Sequence, residues 1–370
     1  MSIKNSETKE KSFKELSIKN IEIKEKSFKE LQPKLKNIIN IMKEYGINEP
    51  EDLLPKSTKH YVKFEINNCY SSLANAIRRC LIAEIKVKCL DVDMSNINTN
   101  DEFIISDALI KNINLVPINQ NYEVKELELE LFIKNNTNQM LDVYLNDFKL
   151  YNDKKNKVET NLLNLIPELN IPIIKLSPNK FLHIKNFKII EGYNNEDAAK
   201  FTLLNNVSYK PIDGEIYDNF NKTGTKSINS NPKKFEISYI TKANIDPKSV
   251  MILCCDSLIL RLKKLLELIK NYTEKIGSNN FYGDEILEVI RHNDYYIYKC
   301  NNEYLTLGNL LSQKIFLLDE TILYTAATVE RLDTEKMILK IKHTEPDKIL
   351  FDAMNECISE LELIKKNFTN

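Results

Sequence analysis

The chain has 370 residues, with 52 Lys and Arg against 53 Asp and Glu, a formal net charge of −1, 42% hydrophobic and 28% charged residues. This length predicts two or three domains around a sizeable core. The charge balance excludes a protein that wraps nucleic acid on its own, because neutralising phosphates drives that binding and requires a basic surplus.

Apolar runs such as residues 252–255 and 258–260 fall far short of the roughly 18–20 residues that cross a bilayer. The opening residues alternate Lys and Glu and do not read as a secretory signal. Cys69, Cys80, Cys89, Cys254, Cys255, Cys300 and Cys357 form no C-x-x-C pair and no zinc-ligand spacing. Reduced thiols in an intracellular compartment are the expectation. Lys outnumbers Arg by 47 to 5, and Asn outnumbers Gly by 45 to 7. Such a bias belongs to A/T-rich coding and makes each retained Arg and Gly informative.

Residues 2–16 and 17–31 are a tandem repeat that differs only at Ser6/Ile21 and Thr8/Ile23. With few apolar residues and mixed charge, this segment predicts disorder or a marginal helix. A short helix is expected over 35–45, with Gly46 as its terminator and Pro50 and Pro55 as a boundary. From 121 to 234 the pattern turns to strands. Leu127, Leu129, Leu131 and Ile133 alternate with other residues, 140–150 and 183–190 read as further strands, and 218–234 reads as a loop. Asp246 followed by Pro247 announces a long helix. Residues 271–280 read as a polar linker.

A second, more distant repeat lies within the chain. At a constant offset of 234, Asn67/Asn301, Asn68/Asn302, Tyr70/Tyr304, Leu73/Leu307 and Asn75/Asn309 are identical, and Ala74/Gly308 are both small. Each copy reads as a strand, an Asn-Asn turn and a helix, for asparagine tolerates left-handed turn geometry. Ser72 and Thr306 are the expected N-caps, with Asn75 and Asn309 at capping-box distance. Each copy then ends in a strand and a long helix. Leu73, Ile77, Leu81, Leu258, Leu262 and Leu265 form the apolar faces of the first copy. Leu307, Leu310, Leu311, Met354, Ile358 and Leu361 form those of the second. Two such units predict an α+β fold in which the copies pair as an intramolecular pseudo-dimer, burying both faces in one interface. The β-rich segment is then an insertion in the first unit.

These motifs resemble the alpha-type assembly subunits of multisubunit DNA-directed RNA polymerase. The run LANAIRRCLIAEI at 73–85 and the stretch 101–118 are similar to the large, D-type platform subunit, and ExLTLGNLL at 303–311 with the final helix is similar to the small, L-type partner. Ala198–Ala199–Lys200–Phe201 echoes an H-A-K-W segment of that family. Both partners in one chain resemble the fused platform subunits of large DNA viruses. The resemblance implies an N-terminal extension (1–57), a D-type dimerisation domain (58–118 and 235–270), a β-rich insertion (119–234), a linker (271–294) and an L-type domain (295–370). It implies a non-catalytic platform that nucleates two large catalytic subunits, with a small adaptor subunit, no separate L-type partner, no membrane and no sequence-specific nucleic-acid contact. Virion and host cytoplasm are the implied locations. The cysteine loop that holds a metal cluster in some members has no counterpart here, so no metal or cofactor is carried over.

The residues agree with a non-catalytic reading. His60, His183, His292 and His343 sit in no metal or triad motif, and no Gly-rich phosphate loop occurs. Asp91 and Asp93 share a strand face but lack a ligand cluster. Arg78 and Arg79 stand side by side where the second copy has Ser312 and Gln313. The expectation is that they are not needed for the pairing of the two copies and contact a large subunit through carboxylates or carbonyls, which suit the planar guanidinium. The competing expectation is a dimeric adaptor outside transcription.

Overall fold

Asn68 and Asn302 take positive φ, 56° and 61°. This geometry, cheap for asparagine, turns the chain from strand to helix at the same place in both copies of the motif. The computed structural model describes residues 16–27, 43, 58–116, 118–120, 127–152, 165–166, 171–194, 200–212, 232–241, 245–277, 279–292, 295–329 and 336–369. The helix expected over 35–45 and most of the 218–234 loop lie outside the described residues.

In chain order, β1 (Ser17–Ser27), β2 (Thr58–Asn67) and α1 (Ser71–Arg79, extended by one wider turn, Cys80–Glu84) come first. β3 (Val87–Asp91), β4 (Ile97–Thr99) and α2 (Ser106–Asn114) follow. Six strands succeed them: β5 (Leu127–Lys134), β6 (Leu141–Tyr144), β7 (Lys149–Asn152), β8 (Pro172–Leu176), β9 (Phe181–Ile184) and β10 (Lys188–Gly192). Next are β11 (Leu204–Pro211), β12 (Lys234–Thr241) and the long α3 (Pro247–Ile276). The remainder is β13 (Phe281–Gly283), β14 (Leu287–His292), β15 (Tyr295–Asn301), α4 (Leu305–Leu318), β16 (Tyr324–Val329), β17 (Lys336–Lys342) and α5 (Pro346–Thr369).

The fold is mixed α+β, with antiparallel sheets. One large sheet has the order β1-β2-β12-β11 and the other β13-β14-β15-β17-β16. Their central strands pair in the same register, Asn67 opposite Lys234 and Asn301 opposite Lys336. α4 has 14 residues, the length of α1 with its wide turn. Asp246 caps α3 by accepting from the backbone N–H groups of Lys248 and Ser249, with Pro247 at the first helical position. A Cβ on Gly308 would lie 2.9 Å from the Ala327 Cβ and 3.1 Å from the Met337 Cγ. Its small size therefore lets α4 lie close on β16 and β17, as Ala74, fully buried, does for α1.

Three expectations are corrected. Residues 17–27 of the second copy of the N-terminal repeat are not helix: they form β1, the strand beside β2, with Ile18 and Ile23 packed on the core and the preceding Leu16 buried. An edge strand needs only one apolar side, which few hydrophobic residues can supply. The first copy has Thr8 in the place of Ile23 and, apart from Leu16, lies outside the described residues. Residues 271–294 are no linker either. α3 continues to Ile276, with Tyr272 fully buried, and β13 and β14 are strands of the second large sheet. The polar residues there are the exposed sides of a helix and a hairpin.

The domain boundaries also move. Leu90, Val92, Leu109, Ile113 and Ile118 join a separate core with Leu129, Leu131, Leu182 and Ile184, so residues 90–118 belong with the inserted strands. β11, placed in the insertion by sequence, instead pairs with β12 in the first large sheet. The strands expected over 140–150 and 183–190 are each split in two, the latter by Asn186 at positive φ.

Deleting residues 1–15 is expected to leave the melting temperature unchanged. Deleting residues 1–27 removes β1, bares the edge of β2 and should lower the melting temperature with light scattering on heating. Equal behaviour of the two truncations would contradict the assignment of β1.

Candidate pairing and docking site

All the residues expected on the pairing faces are buried in one continuous core: Leu73, Ile77, Leu81, Leu258, Leu262, Leu265, Leu307, Leu310, Leu311, Met354, Ile358 and Leu361. α3 and α5 lie along each other, and α1 packs on α4. The end of each long helix reaches the sheet of the other copy. Phe368 of α5 meets Phe64 of β2 edge to face at 5.0 Å, and Tyr272 of α3 meets Tyr298 of β15 at 6.4 Å. Phe64 and Tyr298 are equivalent positions, 234 residues apart. Asp256–Lys365 (2.6 Å) and Lys263–Glu362 (3.7 Å) are salt bridges between the two helices.

The contacts between α1 and α4 repeat in both directions. The Arg79 Nε donates to the Thr306 Oγ1 at 2.8 Å. At the equivalent positions of the other copy, the Gln313 Oε1 accepts from the Ser72 backbone N–H at 2.9 Å, and from the Ser71 hydroxyl at 3.2 Å. Asn75 and Asn309 line one shallow depression where the helices cross.

The expected capping roles are thereby corrected. Tyr70 and Tyr304 stand at the N-cap positions, neither with a side-chain cap bond. The helices start early enough to put Ser72 and Thr306 in their first turns, facing the neighbouring helix. The Ser72 hydroxyl is buried without a partner, and the Thr306 hydroxyl donates to Glu84. The Asn75 Oδ1 accepts from the Arg78 Nε at 3.0 Å rather than closing a capping box. The Asn301 Nδ2 donates at 2.7 Å to the Glu285 carbonyl, between β13 and β14, whereas the buried Nδ2 of Asn67 has no partner.

The two expected docking arginines differ. Arg78 is half-buried, with its guanidinium 5.8 Å from the ring centroid of Tyr209 on β11. Arg79 instead faces α4, where it bonds Thr306 and approaches Glu84 at 3.9 Å. Gln313 is not a mere absence of arginine: it reaches in the other direction with a neutral amide.

A third arginine, not singled out from sequence, organises this region. Arg261 on α3 is mostly buried, and its guanidinium bridges two carboxylates, Glu84 at 2.5 Å and Glu303 at 2.6 Å. Burial opposes its charge, but the Glu303 and Glu84 carboxylates outweigh burial and hold its pKa above the ordinary arginine value. The planar fork fits such bidentate bonding. A second cluster joins Lys314 of α4 to Glu356 (2.6 Å) and Glu360 (2.8 Å) of α5, while the Tyr70 hydroxyl donates to Glu360 at 2.9 Å. Here too burial lowers the Lys314 pKa, and the Glu360 and Glu356 contacts raise it beyond that loss. Arg291 forms a third, donating to the Tyr272 hydroxyl at 2.6 Å, the Gly277 carbonyl at 3.1 Å and Asp347 at 3.3 Å. Arginine scarcity was the available signal for Arg261 and Arg291, and it pointed only to the adjacent pair.

The remaining candidates are bound up in structure. Asp91 pairs with Lys200 and Asp93 with Lys188. His183 contacts Glu130, and His343 contacts Asp319 and Thr321. All seven cysteines are buried, and burial pushes the Cys357 thiol up to about 12, holding it protonated. No family model matches the chain, and no curated protein sequence matches it.

Arg261→Met leaves Glu84 and Glu303 buried without their cation. It should lower unfolding free energy in urea by about 3–5 kcal/mol. Adding Glu84→Gln and Glu303→Gln should restore part of that loss. A single variant as stable as the parent would remove Arg261 from this role.

Proposed function

We propose that the chain is a non-catalytic assembly platform of a multisubunit DNA-directed RNA polymerase. Its two alpha-like units pair within one polypeptide as a pseudo-twofold dimer and together present a surface to two large catalytic subunits. The observation that carries the pairing is the recurrence of contacts in both directions at a fixed offset: Arg79 with Thr306 against Gln313 with Ser72, and Phe64 with Phe368 against Tyr298 with Tyr272. Such reciprocity is what an isologous interface requires. The polymerase assignment rests on the motifs that carry the sequence resemblance, and the identical strand register in the two large sheets supports treating them as copies of one unit.

The mechanism is one of preorganisation. A platform made of two chains must first find its partner. Here the second unit follows α3 after a short connection through Gly277, so pairing takes place at high effective concentration. The buried clusters around Arg261 and Lys314 fix the register of the pairing, because any shift would strand a charge in the core. Arg78, half-buried beside Tyr209, keeps part of its guanidinium accessible to a large-subunit carboxylate or carbonyl. Arg79 is shared between that surface and the pairing.

Two outcomes test this reading. Tagged protein purified from its source should bring down two subunits of polymerase size by mass spectrometry, and Arg78→Ala should weaken that recovery with no loss of thermal stability. Recovery of unrelated proteins would favour an adaptor outside transcription. Cleavage at an engineered protease site after Gly277 should leave two fragments that co-elute through an interface on the order of 2,000 Å² or more. Fragments that separate freely would refute the pairing.

A further inference from the structure

The two large sheets have four edges among the described residues, and three carry devices that discourage pairing with another chain. β1 is broken by a bulge between Lys19 and Glu22, with Asn20 at positive φ, and is studded with Lys and Glu. β11 has a register shift between Asn205 and Ser208 and ends in Lys210–Pro211. β13 is only three residues long. Charges, bulges, proline and shortness are the usual protections of a sheet edge.

β16 has none of them. Its sequence Tyr-Thr-Ala-Ala-Thr-Val contains no charge and no proline, and it pairs with β17 in unbroken register along its whole length. Apolar side chains stand exposed around it: Leu323 is 71% exposed, Tyr324 48%, and Phe316 of α4 63%. Phe316 and Thr325 line the same depression, whose other walls are mostly polar, so the exposed Phe316 ring is the apolar feature on the helix side of the edge. On the opposite face the neighbouring strand presents lysine: Lys340 lies opposite Ala326 and Lys342 opposite Tyr324. Lys340 makes no ion pair among the described residues.

We propose that β16 accepts an extended strand from a partner protein, extending the second large sheet by β-augmentation. The incoming segment alternates apolar residues, which cover Phe316 and the helix side, with acidic residues, which lie on the Lys340 side. Successive side chains of a strand point to opposite faces, so one such alternation satisfies both surfaces. A second copy of this chain is the poorer occupant, since a neutral β16 brings no carboxylate to Lys340. The inference stands on the sheet edge alone and holds whether or not the partner belongs to a polymerase.

The test uses the full chain and two fluorescein-labelled peptides of eight residues, one alternating Val and Glu and the other alternating Val and Lys. The Val/Glu peptide should bind by fluorescence anisotropy roughly three- to tenfold tighter than the Val/Lys peptide, as expected for one or two cross-strand charge pairs. Binding should protect the backbone amides of residues 324–329 in hydrogen exchange. Lys340→Glu, a surface change that leaves the core untouched, should reverse the preference. Absence of binding, equal binding of both peptides, or binding without protection of 324–329 would each overturn the proposal. So would a dimer in light scattering that protects β16 without peptide, which would assign the edge to a second copy.

Discussion

The structure depends on the crossing of two long helices. α3 and α5 lie against each other, and each ends beneath the sheet of the other copy, where Tyr272 meets Tyr298 and Phe368 meets Phe64. An aromatic pair of this kind contributes about 0.5–1.5 kcal/mol beyond the area that it buries. The larger consequence is topological. The packing of each sheet includes an aromatic side chain from the long helix of the other copy. One continuous core therefore serves both, and the short connection from α3 to β13 keeps its halves together.

Polar groups give this core its register. Hydrophobic contact is tolerant of small shifts, whereas a buried guanidinium between two carboxylates is not. Arg261 ties the long helix of the first copy to Glu84 at the end of its own first helix and to Glu303 in the turn of the second copy. Lys314 ties the first helix of the second copy to Glu356 and Glu360, and Tyr70 joins it from the first. These clusters are not copies of each other in chemistry. The duplicated scaffold has kept its geometry while its ionic links diverged, as happens when two units of one chain change independently.

Much of this was legible in the sequence, and the reasons for the failures are physical. The Asn-Asn turns, the Asp246–Pro247 helix start and the apolar helix faces are local signals with local causes, and each appears where it was read. Ser72 and Thr306 failed as caps because N-cap preference assumes a hydroxyl facing its own helix end. Here a neighbouring helix competes for the hydroxyl, and the helices begin earlier. The segment 17–27 failed because composition cannot register a strand whose stability comes from the sheet that it joins. The contacts of Arg79 are hidden for a related reason: aligning the copies position by position sets it against Gln313, whereas the bonds pair position 79 with position 306 and position 313 with position 72. A pairing across an axis relates different positions, so identity is not required at either.

The duplication also explains why one edge differs from the rest. The connection between the first helix and the following edge strand carries the whole inserted region in the first copy and only a few residues in the second. In the first copy this insertion reaches back onto the helix end, with the Asn194 side chain donating to the Ile82 carbonyl at 3.1 Å. The equivalent position in the second copy is Phe316, exposed beside β16. An apolar surface that one copy covers with its own chain is thus left open in the other. The asymmetry lies in the length of one loop rather than in the scaffold, and it leaves the two like units with unlike faces.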